Sequence, residues 1–173
     1  RGGESLSYLG QFRYRPMVFV NLRLEGRGLL ATATNWFPDQ TSPFFRVSEA
    51  TVSMPWLAPE GKTILTADYG CQVGDDIWTM GDDDLSEMSL GGLEPFIPDV
   101  RNRYLGGSVL RTPIAYPVFS MEYEEDRQRF ERGTGIEGLF SIGRNGEFAH
   151  ILLEDIYFRT MATVDRFIEH AGP

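Results

Sequence analysis

The chain has 173 residues, of which 42% are hydrophobic, and a formal net charge of −9. This length suffices for a compact domain with a core, while the acidic balance argues against nucleic acid, whose protein partners usually carry a basic face. No apolar run approaches the roughly 20 residues of a membrane-spanning helix, and Cys71 alone builds neither an intrachain disulfide nor a cysteine metal site. We therefore expect a soluble cytoplasmic protein without a transmembrane segment.

The first half of the chain predicts antiparallel strands. Residues 1–14 are small and polar, and since the chain begins at Arg1 rather than Met, they predict a disordered segment or the remnant of an upstream sequence. The turn Gly26, Arg27 and Gly28 predicts a hairpin between the first two strands, and the regular spacing predicts a meander. Five segments have the alternation or the β-branched and aromatic composition of strands: residues 16–24, 29–37, 44–47, 50–54 and 62–69.

The second half predicts helices around one extended segment. Asp82 or Asp83 can cap a helix that ends near residue 96, and residues 120–131 predict a second, charged helix. Residues 104–119 predict an extended segment whose two prolines deny it a central place in a sheet. A last helix is indicated by an apolar stripe at helical spacing: Leu153, Tyr157, Met161, Val164 and Ile168. The predicted fold class is α+β, a mostly antiparallel sheet with flanking helices and a C-terminal strand, glycine turn and helix.

Three motifs argue against common kinds of site. Residues 26–31 match the G-x-G-x-x-A dinucleotide fingerprint, but the following residues favour a strand rather than the required helix, so we expect a plain turn. The acidic residues 82–84 lack the spacing of a calcium loop. His150 and His170, the only histidines, are too few for a His-rich metal site. The sequence therefore predicts no metal and identifies no catalytic residue.

Residues 138–150, GLFSIGRNGEFAH, combine an apolar stretch with a two-glycine turn before the last helix. A backbone that turns into a helix N-terminus offers unpaired N–H groups, which suit a phosphate or another electron-rich group. Glu154 and Asp155 follow at once and would repel a phosphate, which favours the neutral, hydrogen-bonding edge of a flavin ring. Simple packing of a strand, turn and helix remains the alternative.

This segment resembles the C-terminal signature of FAD-dependent oxidoreductases of the amine oxidase and protoporphyrinogen oxidase type, and a similar glycine–arginine turn occurs in UDP-galactopyranose mutases. The resemblance extends through residues 104–173, and it implies that residues 111–119 pass near the substrate side of the flavin. Tyr116 and Arg46, which fall at family-like places, are expected on that side. The resemblance further implies that FAD is contacted by six residues: Gly143, Arg144, Asn145, Gly146, Glu147 and Phe148.

The resemblance also implies a domain organisation. Residues 15–119 are expected to form a domain of the substrate-binding type, and residues 120–173 a helix followed by the flavin-contact segment. The dinucleotide-binding unit of such enzymes is not found in the sequence. We therefore expect a fragment that binds FAD weakly or not at all, whose parent protein adds an N-terminal FAD-binding domain and acts on a small molecule.

Two other functions stay open. A mutase-like flavoprotein would need arginine and tyrosine side chains for a diphosphate, and Arg101, Arg103 and Arg111 are the candidates. A non-enzymatic binding or scaffold module would use the glycine turn only as structure.

Overall fold

The computed structural model describes residues 7–39, 41–131, 134, 136 and 138–171. They divide into two compact units. The sheet unit comprises residues 15–115, and the terminal unit combines the residues before Arg15 with those from Tyr116 onward. Residues 1–6 of the predicted N-terminal remnant, and the side chain of His170, lie outside what the structure describes.

Five strands form one sheet in the order β2-β3-β4-β1-β5. Pairing is antiparallel between β1 and β4, between β3 and β4, and between β2 and β3. The predicted α+β class with a mostly antiparallel sheet is confirmed, and the proline-containing strand β5 lies at an edge as expected. The strands are β1 (Tyr14–Glu25), β2 (Thr34–Trp36), β3 (Arg46–Glu49), β4 (Lys62–Gly70) and β5 (Tyr104–Pro117).

Three local predictions in the first half are wrong. Strand β1 pairs with β4 rather than with the segment that follows it, so residues 26–28 do not close a hairpin between neighbouring strands. Residues 29–33 form a loop, because the carboxylate of Glu49 accepts the N–H groups of Gly28 and Leu30 that a strand would give to a sheet partner. Ala50–Val52 forms a 3-10 turn in place of the predicted short strand.

Six helices accompany the sheet in the described residues: α1 (Asp76–Thr79), α2 (Asp82–Leu93), α3 (Val100–Arg103), α4 (Tyr123–Glu131), α5 (Gly143–Gly146) and α6 (Leu153–Ala171). Short 3-10 turns also occur at Ser7–Gln11 and Pro55–Leu57. None of the described helices has the length and apolar character needed to cross a membrane.

The core of the sheet unit lies between one face of the sheet and helix α2. Alternate residues of β1 point to this face, and Leu22 lies opposite Leu65 of β4. Gly92 of α2 permits the close approach of its neighbours, because a Cβ atom there would lie 2.7 Å from the Pro43 ring. The hydroxyl of Tyr69 lies 2.7 Å from that of Ser89, and burial raises the pKa of Tyr69 to about 12.

The terminal unit has a small aromatic core. The rings of Phe12 and Phe148 stack with their centroids 4.0 Å apart, and Tyr123 and Phe130 contact this pair edge to face. Residues 139–142, predicted as a strand, have no regular structure. The glycine turn is the single helical turn α5, and a loop of residues 147–152 separates it from α6.

Candidate functional site

The glycine turn closes on itself through backbone hydrogen bonds. Gly143 starts the turn with a φ of +87°, a conformation that favours glycine. The N–H of Glu147 donates to the Gly143 carbonyl at 2.7 Å, and the N–H of Ala149 donates to the Arg144 carbonyl at 3.0 Å. Phe148 also has a positive φ, of +50°, which turns the chain and places its ring in the aromatic core. The turn is thus a fixed loop with Asn145 at its exposed surface.

Glu147 connects this turn to α6. One carboxylate oxygen accepts the N–H of Gly143 at 3.3 Å, and the other pairs with Arg159 of α6 at 2.9 Å. Helix α6 begins with its own cap, because Asp155 accepts the N–H of Leu152 at 3.1 Å. This bond satisfies the N–H of the residue before α6 and none of the first N–H groups of the helix itself.

Arg144 and Tyr116, two of the predicted site residues, lie together. The guanidinium carbon of Arg144 lies 5.2 Å from the centre of the Tyr116 ring, a cation–π distance. Its Nη2 atom lies 3.2 Å from Nδ1 of His150, and the His150 ring meets Phe119 edge to face. The terminal unit thus assembles an arginine, a tyrosine and a histidine beside the glycine turn.

Arg46 belongs to the sheet unit and is held by Asp68. Its Nε atom donates to the Asp68 carboxylate at 2.7 Å and a second nitrogen contacts the same oxygen. Burial raises the pKa of Asp68, although the hydrogen bond and charge of Arg46 act in the opposite direction. The Arg46 guanidinium also lies over the Trp36 and Phe45 rings. The structure gives Arg46 these structural partners, and its substrate-side role stays a prediction.

The three arginines considered for a diphosphate all have partners within the sheet unit. Arg101 pairs with Glu87 and Glu94, and Arg103 pairs with Asp99 at 2.7 Å. Arg111 pairs with Asp82 at 2.8 Å and also donates to two backbone carbonyls. The three arginines therefore stabilise helices α2 and α3 and the residues next to them.

No protein-family model and no curated protein matches the chain. Solved structures do match. A reduced UDP-galactopyranose mutase is 17% identical with a TM-score of 0.61, over 79% of this chain and 29% of its own. A protein from Exiguobacterium sp. 255-15 assigned as a protoporphyrinogen oxidase is 14% identical with a TM-score of 0.56, over 80% of this chain and 32% of its own.

The chain has the fold of part of these two proteins. The resemblance stated from the glycine turn is thereby confirmed at the level of the fold. The chain spans less than a third of either neighbour, so the activity of a whole protein of this fold does not transfer to it directly.

Sequence reasoning missed a cleft in the sheet unit of this mutase-like fold. The cleft has a volume of about 510 Å³ and is lined by residues between Leu29 and Phe37 and by Phe96. No sequence pattern joins Phe96 to residues near position 30. The aromatic residues around position 36 were the only available signal, and they were interpreted as part of a strand.

Proposed function

We propose that the chain is part of an FAD-dependent oxidoreductase of the amine oxidase or protoporphyrinogen oxidase type. In this proposal residues 15–119 supply the substrate-binding domain, and residues 120–173 supply the flavin contact. The observation that carries the proposal is the fold shared with the protoporphyrinogen oxidase-assigned protein, of which this chain spans 32%. The catalytic groups and the nucleotide-binding unit then belong to the rest of a longer cytoplasmic protein.

The glycine turn fits the edge of a flavin. A Cβ atom on Gly143 would meet nothing within 4 Å, so one side of the turn is open. The N–H of Gly143 donates to Glu147, so ring oxygen or nitrogen atoms would be met by the N–H groups of Arg144 and Asn145, since the first N–H groups of a helical turn have no acceptor within the helix. The acidic Glu147 is already engaged by Arg159 and Gly143. FAD, when bound, would supply the hydride acceptor, while the turn and the Arg144–Tyr116 pair would orient the ring.

The apolar face of α6 supports the idea of a longer protein. Five residues on this face are between 41% and 80% exposed: Leu153, Tyr157, Met161, Val164 and Ile168. Soluble monomers rarely leave a contiguous apolar surface of this kind uncovered. We propose that the N-terminal FAD-binding domain of the parent protein covers it.

A mutase-like isomerase is the second candidate, because the UDP-galactopyranose mutase has the higher TM-score of the two neighbours, 0.61. Its substrate would need cationic groups for a diphosphate. The internal pairing of Arg101, Arg103 and Arg111 weakens this alternative, so the oxidoreductase stays the leading proposal.

The test is to express the longer gene product and measure bound flavin by its visible absorbance. Gly143→Ala should lower the flavin content, because alanine is strained at a φ of +87°. Gly74→Ala is the matched control, since Gly74 has a φ of +89° and equally open surroundings in the sheet unit. Equal flavin loss in both variants would contradict a flavin contact at the turn.

The substrate reaction separates the candidates. An oxidoreductase should show anaerobic bleaching of the flavin by an amine or porphyrinogen substrate. A mutase should convert UDP-galactopyranose with reduced flavin and no net oxidation. A longer product without a nucleotide-binding unit and without flavin would instead support the scaffold module.

A further inference from the structure

A protruding apolar segment joins strands β3 and β4 in the sheet unit. Residues 52–57 form an unbroken run of exposed residues, whereas Thr51 before them is buried and Ala58 after them is half-buried. A segment that lies flat on a protein surface turns some of its side chains inward, so a run of this kind describes a convex projection. We call residues 52–57 the tip.

The tip carries large apolar side chains and no charge. Trp56 is 77% exposed, and three other apolar side chains are between 40% and 49% exposed: Val52, Met54 and Leu57. Residues 50–59, ATVSMPWLAP, contain no ionisable side chain. Apolar groups exposed together gain free energy when they leave water, so the tip has the composition of a contact surface.

The backbone of the tip satisfies much of its own hydrogen bonding. The N–H groups of Ser53 and Met54 donate to the Ala50 carbonyl at 3.2 and 2.9 Å. The N–H of Leu57 donates to the Met54 carbonyl at 3.1 Å, and Pro55 has no N–H group. Since a free backbone N–H group is costly in an apolar medium, this bonding suits a surface that enters one.

Arg27 fixes the base of the tip. Its Nη2 atom donates to the carbonyls of Ala58 and Pro59 at 2.7 and 2.9 Å, and its Nε atom donates to the Lys62 carbonyl at 3.0 Å. The guanidinium is thereby directed at carbonyls of the protein itself. The tip is held in place before it meets a partner, so binding would not have to supply the free energy of ordering it.

The shape and charge of the tip favour a lipid surface over a protein groove. A protein partner has to provide a pocket that matches a convex shape, whereas the interface of a bilayer deforms around it. Tryptophan is enriched at that interface, because its ring has an apolar body and a polar N–H. The net charge of −9 is unfavourable beside anionic lipids, and the tip has no basic side chain to offset it. Zwitterionic lipid is therefore the lipid that fits.

We propose that the tip inserts into the interfacial region of a zwitterionic lipid bilayer, with Trp56 and Leu57 as its main apolar contacts. The attachment is peripheral and reversible, because stable anchoring takes two membrane signals and the tip supplies one. The inference does not depend on the flavoprotein proposal, since every residue that carries it lies in the sheet unit and none lies in the glycine turn.

The first test uses fluorine NMR of the 173-residue chain labelled with 5-fluorotryptophan. Its tryptophans are Trp36, Trp56 and Trp78. Trp36 is also exposed, but it pairs with Arg46 at the start of β3, whereas the tip follows the end of β3. The probe is a phosphatidylcholine nanodisc with a nitroxide in its headgroup region, and we expect it to broaden the Trp56 signal most. Equal broadening at Trp36, or none at Trp56, would overturn the proposal, because lipid contact through the exposed face of α6 would not single out Trp56.

Variants give the second test, with binding to phosphatidylcholine vesicles measured by sedimentation. Trp56→Ser should weaken binding about tenfold, since the indole supplies the largest apolar surface of the tip. Trp36→Ser is the matched control and should change nothing, and the signal of the partly buried Trp78 reports that each variant is folded. Adding phosphatidylserine to the vesicles should weaken binding. Equal effects of the two variants, or tighter binding to phosphatidylserine, would refute the proposed contact.

Two other partners of the tip give different results. If the tip joins two copies of the chain, Trp56→Ser should dissociate a dimer in ultracentrifugation without lipid. If the FAD-binding domain of the parent protein covers the tip, a soluble gadolinium chelate should fail to broaden the Trp56 signal in the longer gene product. Either result would overturn the lipid contact.

Discussion

The sheet unit and the terminal unit both contain a regular apolar row, but only one row is covered. Val18, Val20, Leu22 and Leu24 of β1 have no exposed surface. The corresponding row on α6 begins at Leu153, which is 80% exposed. Both rows were visible as sequence periodicity. The difference shows that periodicity identifies which residues share a face, whereas the covering of that face depends on what lies opposite.

The largest expected effect is on the free energy of unfolding, when the same leucine-to-alanine substitution is made in each of the two rows. Leu22→Ala should lower the free energy of unfolding by about 3 kcal/mol, because it removes buried methyl groups and leaves a cavity. Leu153→Ala should change it by less than about 0.5 kcal/mol, as expected for an exposed side chain. Urea unfolding followed by circular dichroism measures both.

Two results at Leu153 would show that the apolar row of α6 is covered after all. If Leu153→Ala costs as much as Leu22→Ala in this chain, the α6 row is already covered in solution, for example by a second copy of the chain. If the cost appears only in the longer gene product, the proposed FAD-binding domain covers the row.

Substitution of Glu49 in the sheet unit should have an intermediate effect on the free energy of unfolding. Glu49→Gln should lower the free energy of unfolding by about 2 kcal/mol, because the amide keeps one acceptor oxygen and turns an NH₂ group toward a buried N–H donor. Glu60→Gln is the control, since Glu60 is exposed in the turn before β4. The same unfolding experiment applies. Equal stability of the two variants would mean that the loop of residues 28–33 does not depend on the buried carboxylate.

Glu49 also shows why part of the fold could not be predicted. Strand β4, helix α2 and the edge position of β5 followed from local alternation, apolar spacing and proline content. The predicted cap of α2 was wrong, because Gly81 is the N-cap and Asp82 and Asp83 lie in the first turn of the helix. The hairpin expected at residues 26–28 failed because β1 pairs with β4 and Glu49 binds the loop from 21 and 19 positions away. Contacts this distant leave no periodic signal in the sequence.

The candidate site also has a part that the sequence predicted and a part that it did not. The glycine turn was visible in the sequence because Gly143 and Gly146 flank a short polar pair before a helix. The contact between Arg144 and Tyr116 was not predicted. The resemblance assigned Arg144 to the cofactor and Tyr116 to the substrate side, and the two residues are far apart in the chain. The cleft lined by Phe96 and by residues between Leu29 and Phe37 was not predicted, because only the tertiary structure brings Phe96 to the Phe37 ring.

The smallest expected effect concerns two arginine–carboxylate pairs with opposite consequences. In the sheet unit burial raises the pKa of Asp68 despite its bond to Arg46. In the terminal unit the hydrogen bonds from Arg127 to Glu124, at 2.7 and 2.8 Å, lower the pKa of Glu124 to about 2. The difference lies in burial, because the Glu124 side chain is 56% exposed whereas that of Asp68 is 2% exposed.

A lowered folded-state pKa sets the sign of the pH dependence. The contribution of Glu124 to stability is present above its ordinary pKa of 4.5 and is lost as the pH falls through about 2. Arg127→Gln should therefore raise the pKa of Glu124 toward 4.5, whereas Arg166→Gln on α6 should leave it unchanged. Carboxyl-carbon NMR titration resolves the two cases. If the pKa of Glu124 stays near 2 in Arg127→Gln, the lowered pKa is due to the other donor, Gln128. Pairing with an arginine would then not be what distinguishes Glu124 from Asp68.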